Sequence, residues 1–180
     1  GLAASLGPTA LGAWGIPDMT IIAPDDELVD IRRQPAPHQI RRSNTWQLVT
    51  ALREAGYPAR GMHFHDDRDE IRQRLAHCLQ TQEVLVLTGG VSRGKHDYLP
   101  DLLLELGVQL HFHKVAQRPG KPMWFGELPG GPVIFALPGN PVSAFMCTLR
   151  YVLPWLRHTQ GLSSSAHGLA CLAQAFTFEK

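Results

Sequence analysis

Met19-Thr20-Ile21-Ile22-Ala23 is a short continuous apolar run, of a length that suits a strand buried on both faces. A polar, Pro-rich loop follows it to Arg42. Ser43 or Asn44 is then placed to cap a helix through Glu54, with Trp46, Leu48, Val49 and Leu52 on its apolar side and Gly56 ending it. Downstream the pattern predicts a strand near Arg60–Phe64, an acidic helix from about Arg68 to Leu79 and a strand at Glu83–Leu87. A helix from about Tyr98 to Leu106 and a strand at Val108–Lys114 come next. Strands alternating with helices of this length imply βαβ units. The expected fold is α/β, a three-layer α/β/α sandwich around a mostly parallel sheet.

The pattern then changes. Met123–Gly126 and Val133–Ala136 read as two short strands of a β-hairpin, joined by the Pro/Gly-rich segment 127–132. A helix is predicted from Val142 to about Arg157. Residues 1–16 are read as a lead-in from a preceding domain absent here, 17–160 as the α/β domain, and 161–180 as a linker and the start of a C-terminal β domain.

The 180 residues are 44% hydrophobic and 18% charged with net charge +1, which suits one ordinary domain and excludes disorder or nucleic-acid binding through bulk charge. Cys78, Cys147 and Cys171 are far apart and lack CxxC spacing, so neither a disulfide framework nor a zinc site is expected. No membrane-length apolar run or signal peptide is visible, and the chain starts with Gly1 rather than Met. The expectation is an excised or processed segment of a soluble cytoplasmic protein.

In an open α/β sheet, ligands sit beyond the carboxyl ends of the strands. The predicted strands would deliver Asp25-Asp26-Glu27, then Asp66-Asp67, then Thr88-Gly89-Gly90-Val91-Ser92-Arg93-Gly94 and Asp97 to that edge. They would add Lys114, Arg118 and Pro119-Gly120-Lys121-Pro122, and finally Pro138-Gly139-Asn140-Pro141. Carboxylates with phosphate oxygens are ligands for hydrated Mg²⁺; glycine amides and cations hold anions. The set therefore predicts a Mg²⁺-dependent site for a phosphorylated, anionic small molecule. Any single acid here also reads as an ordinary loop residue or helix cap. His63/His65 and His111/His113 read as edge or half-buried histidines rather than metal ligands, and Trp46, Trp124 and Trp155 as packing residues.

Residues 89–96 nearly satisfy the phosphate-loop pattern GxxxxGK(S/T), but His96 stands where Mg²⁺ needs a hydroxyl. Gly90-Val91-Ser92-Arg93-Gly94 is a literal GxSxG, yet polar residues and Pro100 follow where a nucleophile elbow turns into a helix. His158 or His167 would have to complete its triad. Both patterns read better as coincidences within a glycine-rich anion loop.

Thr88-Gly89-Gly90-Val91-Ser92-Arg93-Gly94-Lys95-His96-Asp97-Tyr98, the 113–122 segment ending Pro119-Gly120-Lys121-Pro122, and Leu137-Pro138-Gly139-Asn140-Pro141-Val142-Ser143 together resemble the molybdopterin molybdenumtransferases, the MoeA and gephyrin E-domain family. The resemblance runs from about Ile16 to Gln160. It implies the molybdopterin-binding, MogA-like fold and Mg²⁺-dependent insertion of molybdate into adenylylated molybdopterin, with release of AMP. By position it makes Glu27, Asp66 and Asp97 the functional acids and Mg²⁺ ligands. It makes Thr88, Gly89, Gly90, Ser92 and Gly94 the anion loop, and Lys114, Arg118 and Lys121 the basic residues. Pro138, Gly139, Asn140 and Pro141 line the site. The substrates would be an anionic pterin and molybdate, with no nucleic-acid or membrane partner and a homo-oligomer, dimeric in full-length members. Ala23-Pro24-Asp25-Asp26-Glu27-Leu28 departs from the family's Ser-Thr-Gly-Asp-Glu-Leu, keeping the acid pair and losing the Thr-Gly turn. Arg93 stands where a small apolar residue is usual. The family's N-terminal regions and most of its C-terminal β domain are not in this sequence. A non-catalytic molybdopterin-binding module, or a serine hydrolase using Ser92, are the alternative readings.

Overall fold

A computed structural model describes residues 15–24, 28–29, 32, 34–37, 40–41, 43–65, 67–90, 98–162 and 173–174. The strands are β1 (Met19–Pro24), β2 (Leu28–Val29), β3 (Ile40–Arg41), β4 (Arg60–Phe64), β5 (Val84–Thr88), β6 (Gln109–His113), β7 (Trp124–Glu127) and β8 (Val133–Leu137). The helices are α1 (Ser43–Glu54), α2 (Arg68–Thr81), α3 (Leu99–Glu105), α4 (Pro141–Cys147) and α5 (Leu153–Thr159), the last two joined by a π turn at Thr148–Val152. One six-stranded sheet runs in the order β4-β1-β5-β8-β7-β6. Within it β4, β1, β5 and β8 are mutually parallel, so the fold is the expected mostly parallel α/β sandwich.

Strand periodicity explains the three layers. Met19 and Ile21, Val84 and Val86, and Phe135 and Leu137 project to one face, where they pack with Leu48 and Leu52 of α1 and with Ala144, Cys147 and Leu156 of α4 and α5. Ile22, Leu85, Leu87, Ile134 and Ala136 project to the other, against Ile71 and Leu75 of α2 and Leu99 and Leu102 of α3. Both faces are covered, so the central strands read as unbroken apolar runs rather than as alternation. Each such large side chain contributes about 1.5–3 kcal/mol by leaving water.

Four details differ from the sequence expectation. The strand at 109–113 does not extend a βαβ series; it pairs antiparallel with β7, which pairs antiparallel with β8. The short, helix-free connection 114–123 cannot make the crossover that parallel neighbours need. The Pro-rich loop contains the two-residue parallel pair β2–β3, too short for any periodic signal. Trp46 is not a packing residue: it is 47% exposed and lines a groove of about 370 Å³ with Val49, Arg53, Arg60 and Met62. Trp124 is fully buried, and Trp155 packs edge-on against Phe135.

The helix predicted over 142–157 instead starts at Pro141, ends at Thr159 and carries the π turn. Pro154 has no N–H to donate, and a regular helix is interrupted there. The chain adapts with a wider turn, in which the Leu153 N–H reaches the Thr148 carbonyl five residues back.

Candidate functional site at the carboxyl edge of the sheet

The strand directions bring the ends of β1, β4, β5 and β8 to one edge. β1 and β4 end side by side, with Pro24 paired to Phe64, and β5 and β8 end side by side, with Thr88 paired to Leu137. Two antiparallel pairings away, β6 points the same way as β8. Its end therefore lies at the same edge, two strand spacings or about 10 Å from that of β8.

At the centre of the edge, Thr88 is 3% exposed and its Oγ1 has no hydrogen-bond partner among the described residues. Gly89 and Gly90 follow with φ of 90° and 68°, in the left-handed region that favours glycine. The Gly89 N–H donates to the Leu137 carbonyl at 3.1 Å, and a Cβ on Gly139 would lie 3.4 Å from the Gly89 Cα. Gly89 and Gly139 thus approach each other backbone to backbone. Asn44 Nδ2 donates to the Gly139 carbonyl at 2.7 Å and joins α1 to this contact. Asn44 therefore sits inside the first turn of α1 and acts as a long-range tie rather than as its cap.

Pro138 is buried behind the edge, while Gly139, Asn140 and Pro141 are exposed on it. Asn140 caps α4: its Oδ1 accepts from the Ser143 N–H at 3.1 Å and lies 3.3 Å from Ser143 Oγ. Pro141 at the first helical position needs no N–H there.

The basic residues come from one closed connection. The Lys114 N–H donates to the Met123 carbonyl at 2.7 Å and the Val115 N–H to the Lys121 carbonyl at 2.9 Å. Lys114 has φ 74°, an uncommon conformation for a residue with a Cβ, and Arg118–Pro119 is a cis bond. Lys114, Arg118 and Lys121 are exposed. Gly120 is buried against α4, where a Cβ would lie 2.7 Å from Cys147 Sγ. Cys147 is two helical turns beyond Asn140, about 10 Å along the axis. The turn thus lies on the flank of α4, beside the Gly89–Gly139 contact rather than on top of it.

Glu27, Asp66, Asp97, Ser92 and Gly94 lie outside the described residues, as do the remainder of the 91–97 loop with its phosphate-loop and GxSxG patterns, His167 and Cys171. Among the described residues no group of three or more His, Cys, Asp or Glu is placed to hold a metal ion. His63 Nδ1 is 2.9 Å from the Ala23 carbonyl oxygen, and its ring meets that of His65 edge-on. His111 Nε2 is 3.2 Å from Glu127 Oε1, and His113 is exposed. Burial pushes the Cys78 and Cys147 thiols above their ordinary pKa, with Arg74 partly opposing the shift at Cys78.

Residues 20–158 match the sequence profile of the family described as "Probable molybdopterin binding domain". The chain belongs to that family. This molybdopterin-binding domain is 39% identical, over 98% of its length, to a molybdopterin molybdenumtransferase of Synechocystis, of which it covers 43%. It is 32% identical, over 81% of its length, to the Drosophila melanogaster molybdenum cofactor synthesis protein cinnamon, covering 24% of that protein. Its fold superposes with a TM-score of 0.70 on a molybdopterin biosynthesis MoeA protein of Pyrococcus horikoshii, at 28% identity over 81% of this chain and 36% of the other. The domain spans less than half the length of the curated relatives it matches. Among its described residues, no helix is long and apolar enough to cross a membrane.

The sequence offers Ser43 or Asn44 as a local cap and does not single out Gln117 or Tyr151. An asparagine at a helix start carries a cap signal, but nothing in the sequence marks a partner as far away as Gly139. Tyr151 Oη donates to Gln117 Oε1 at 2.8 Å from a position inside the π turn, and no helical period points to that contact.

Proposed function

We propose that this chain is the substrate-binding and catalytic α/β unit, residues 17–160, of a molybdopterin molybdenumtransferase. It would bind adenylylated molybdopterin, accept molybdate and release AMP. The observation that carries this reading is the Thr88–Gly89–Gly139 centre, where a buried hydroxyl without a partner among the described residues sits beside the close backbone approach of Gly89 and Gly139. A buried polar atom left unpaired is costly, and an oxyanion arriving at the edge would accept its hydrogen bond.

The site's own residues supply binding and orientation. Thr88 and the Gly90 amide would hold phosphate oxygens, and Lys114, Arg118 and Lys121 would offset the charge of the bound phosphoanhydride. Asn44 and Asn140 hold the 138–141 loop that lines one side. For the metal, the oxygen donors Glu27, Asp66 and Asp97 suit a hard cation, and two of them follow the adjacent strand ends Pro24 and Phe64. When bound there, Mg²⁺ would supply Lewis-acid polarisation of phosphate oxygens. In this reading Ser92 is a hydrogen-bonding residue of the anion loop and not a nucleophile. The whole protein would work in the cytoplasm as a homo-oligomer, with residues 161–180 leading into a further domain.

The test is AMP release from adenylylated molybdopterin with Mg²⁺ and molybdate, comparing the chain with Asp97→Ala. Molybdate-dependent release lost in the variant is the expected result. Binding without release would make the chain a molybdopterin-binding module. Ester hydrolysis abolished by Ser92→Ala would replace the reading with a serine hydrolase.

A further inference from the structure

The connection 114–123 carries three cations, and its backbone is closed by the Lys114–Met123 and Val115–Lys121 bonds and by Gln117 N–H donating to the Val115 carbonyl at 2.8 Å. What fixes the middle of this connection is a side chain. Gln117 Nε2 donates to the Pro119 carbonyl at 2.7 Å, one residue from Arg118 and two from Lys121. The same amide nitrogen lies 3.9 Å from Cys147 Sγ, and that thiol lies 3.9 Å from the Gly120 carbonyl oxygen.

An amide that rotates about its last bond would lose this clamp. The Pro119 carbonyl can only accept, so it keeps the NH₂ end facing it, and the Tyr151 hydroxyl anchors the other end by donating to Gln117 Oε1 at 2.8 Å. Tyr151 lies within the π turn Thr148–Val152, whose wider winding alters the direction of side chains after it relative to a regular helix. Gly120 completes the arrangement. Its φ is 110°, and a Cβ there would come within 2.7 Å of both Gln117 Nε2 and Cys147 Sγ, so the clamp occupies the space a side chain would need.

We propose that Tyr151, acting through Gln117, is a positioning residue that sets where Arg118 and Lys121 stand to receive an oxyanion. Neither Tyr151 nor Gln117 need touch the ligand. The inference rests on the reading that this connection faces an anionic substrate. Its structural half, that the clamp holds the turn, stands without that reading.

Tyr151→Phe removes only the hydroxyl. Gln117→Glu keeps an acceptor for Tyr151 but has no donor for the Pro119 carbonyl. Amide hydrogen exchange at Val115 and Gln117 should accelerate about fivefold in both variants, the effect of one lost hydrogen bond of about 1 kcal/mol, with no change in β5 or β8. In the AMP-release assay the KM for adenylylated molybdopterin should rise by a similar factor with kcat unchanged, which a general loss of fold would not produce. Wild-type exchange at these amides, or a wild-type KM in both variants, overturns the proposal. If the parent chain neither binds nor turns over, the functional reading falls, and exchange alone decides whether the clamp exists.

Discussion

Asn44 and Gly139 are 95 positions apart in sequence and 2.7 Å apart in space, amide nitrogen to carbonyl oxygen. The bond fastens the first turn of α1 to the loop after β8, at the point where that loop meets Gly89. Asn44→Leu keeps much of the shape and loses the donor without adding a charge. It should weaken binding of adenylylated molybdopterin about fivefold, as one neutral hydrogen bond of about 1 kcal/mol implies. Titration calorimetry on the two proteins measures this, and equal affinities would remove Asn44 from the site.

Thr88 offers the opposite balance between stability and function. Its hydroxyl is buried without a partner among the described residues, so Thr88→Val should leave the free protein as stable as before or more so, by up to about 1 kcal/mol. Ligand affinity should nevertheless fall. Denaturant unfolding with a parallel binding titration separates the effects, and lowered stability with intact binding would assign the hydroxyl a purely internal role.

Gly120→Ala should destabilise by more than 2 kcal/mol, because a Cβ collides with Cys147 Sγ and the backbone has φ 110°. Gly130→Ala is the control: φ is 71°, but among the described residues no atom lies within 4 Å of the added carbon. Only the conformational cost of about 1–2 kcal/mol remains there. Similar losses in urea unfolding would show that the packing against α4 is looser than described.

The buried thiols predict alkaline sensitivity. Burial raises Cys78 and Cys147 above their unfolded value of about 8.5, so their stabilising effect is complete below that pH and is lost as pH rises through the folded values. The melting temperature should fall as pH rises above about 8.5, less steeply in Cys147→Ala. In a Cys171→Ser background the native chain should react with a thiol reagent only on unfolding, and rapid native labelling would contradict the burial of both groups.

The order of strands and helices was legible because core residues repeat with the period of their element. Ile21 and Ile22, or Leu85 and Val86, fall on opposite faces of one strand, and both faces are covered, which leaves an unbroken apolar run in the sequence. The pairing partner of β6 was not legible, since Gln109–His113 reads as a strand whichever neighbour it joins. The edge location of Thr88, Gly89 and Gly139 followed from strand ends, whereas the position of Gly120 against α4 did not.

By itself the sequence determined the α/β class and the family, because these depend on local pattern and on residue type. Tertiary structure alone decided that Asn44 ties two loops together and that Trp46 faces solvent. It also decided that Tyr151 holds Gln117 beneath the basic turn. Such contacts join residues whose separation along the chain carries no period. They exist only once the sheet has fixed the distance between the elements that bear them.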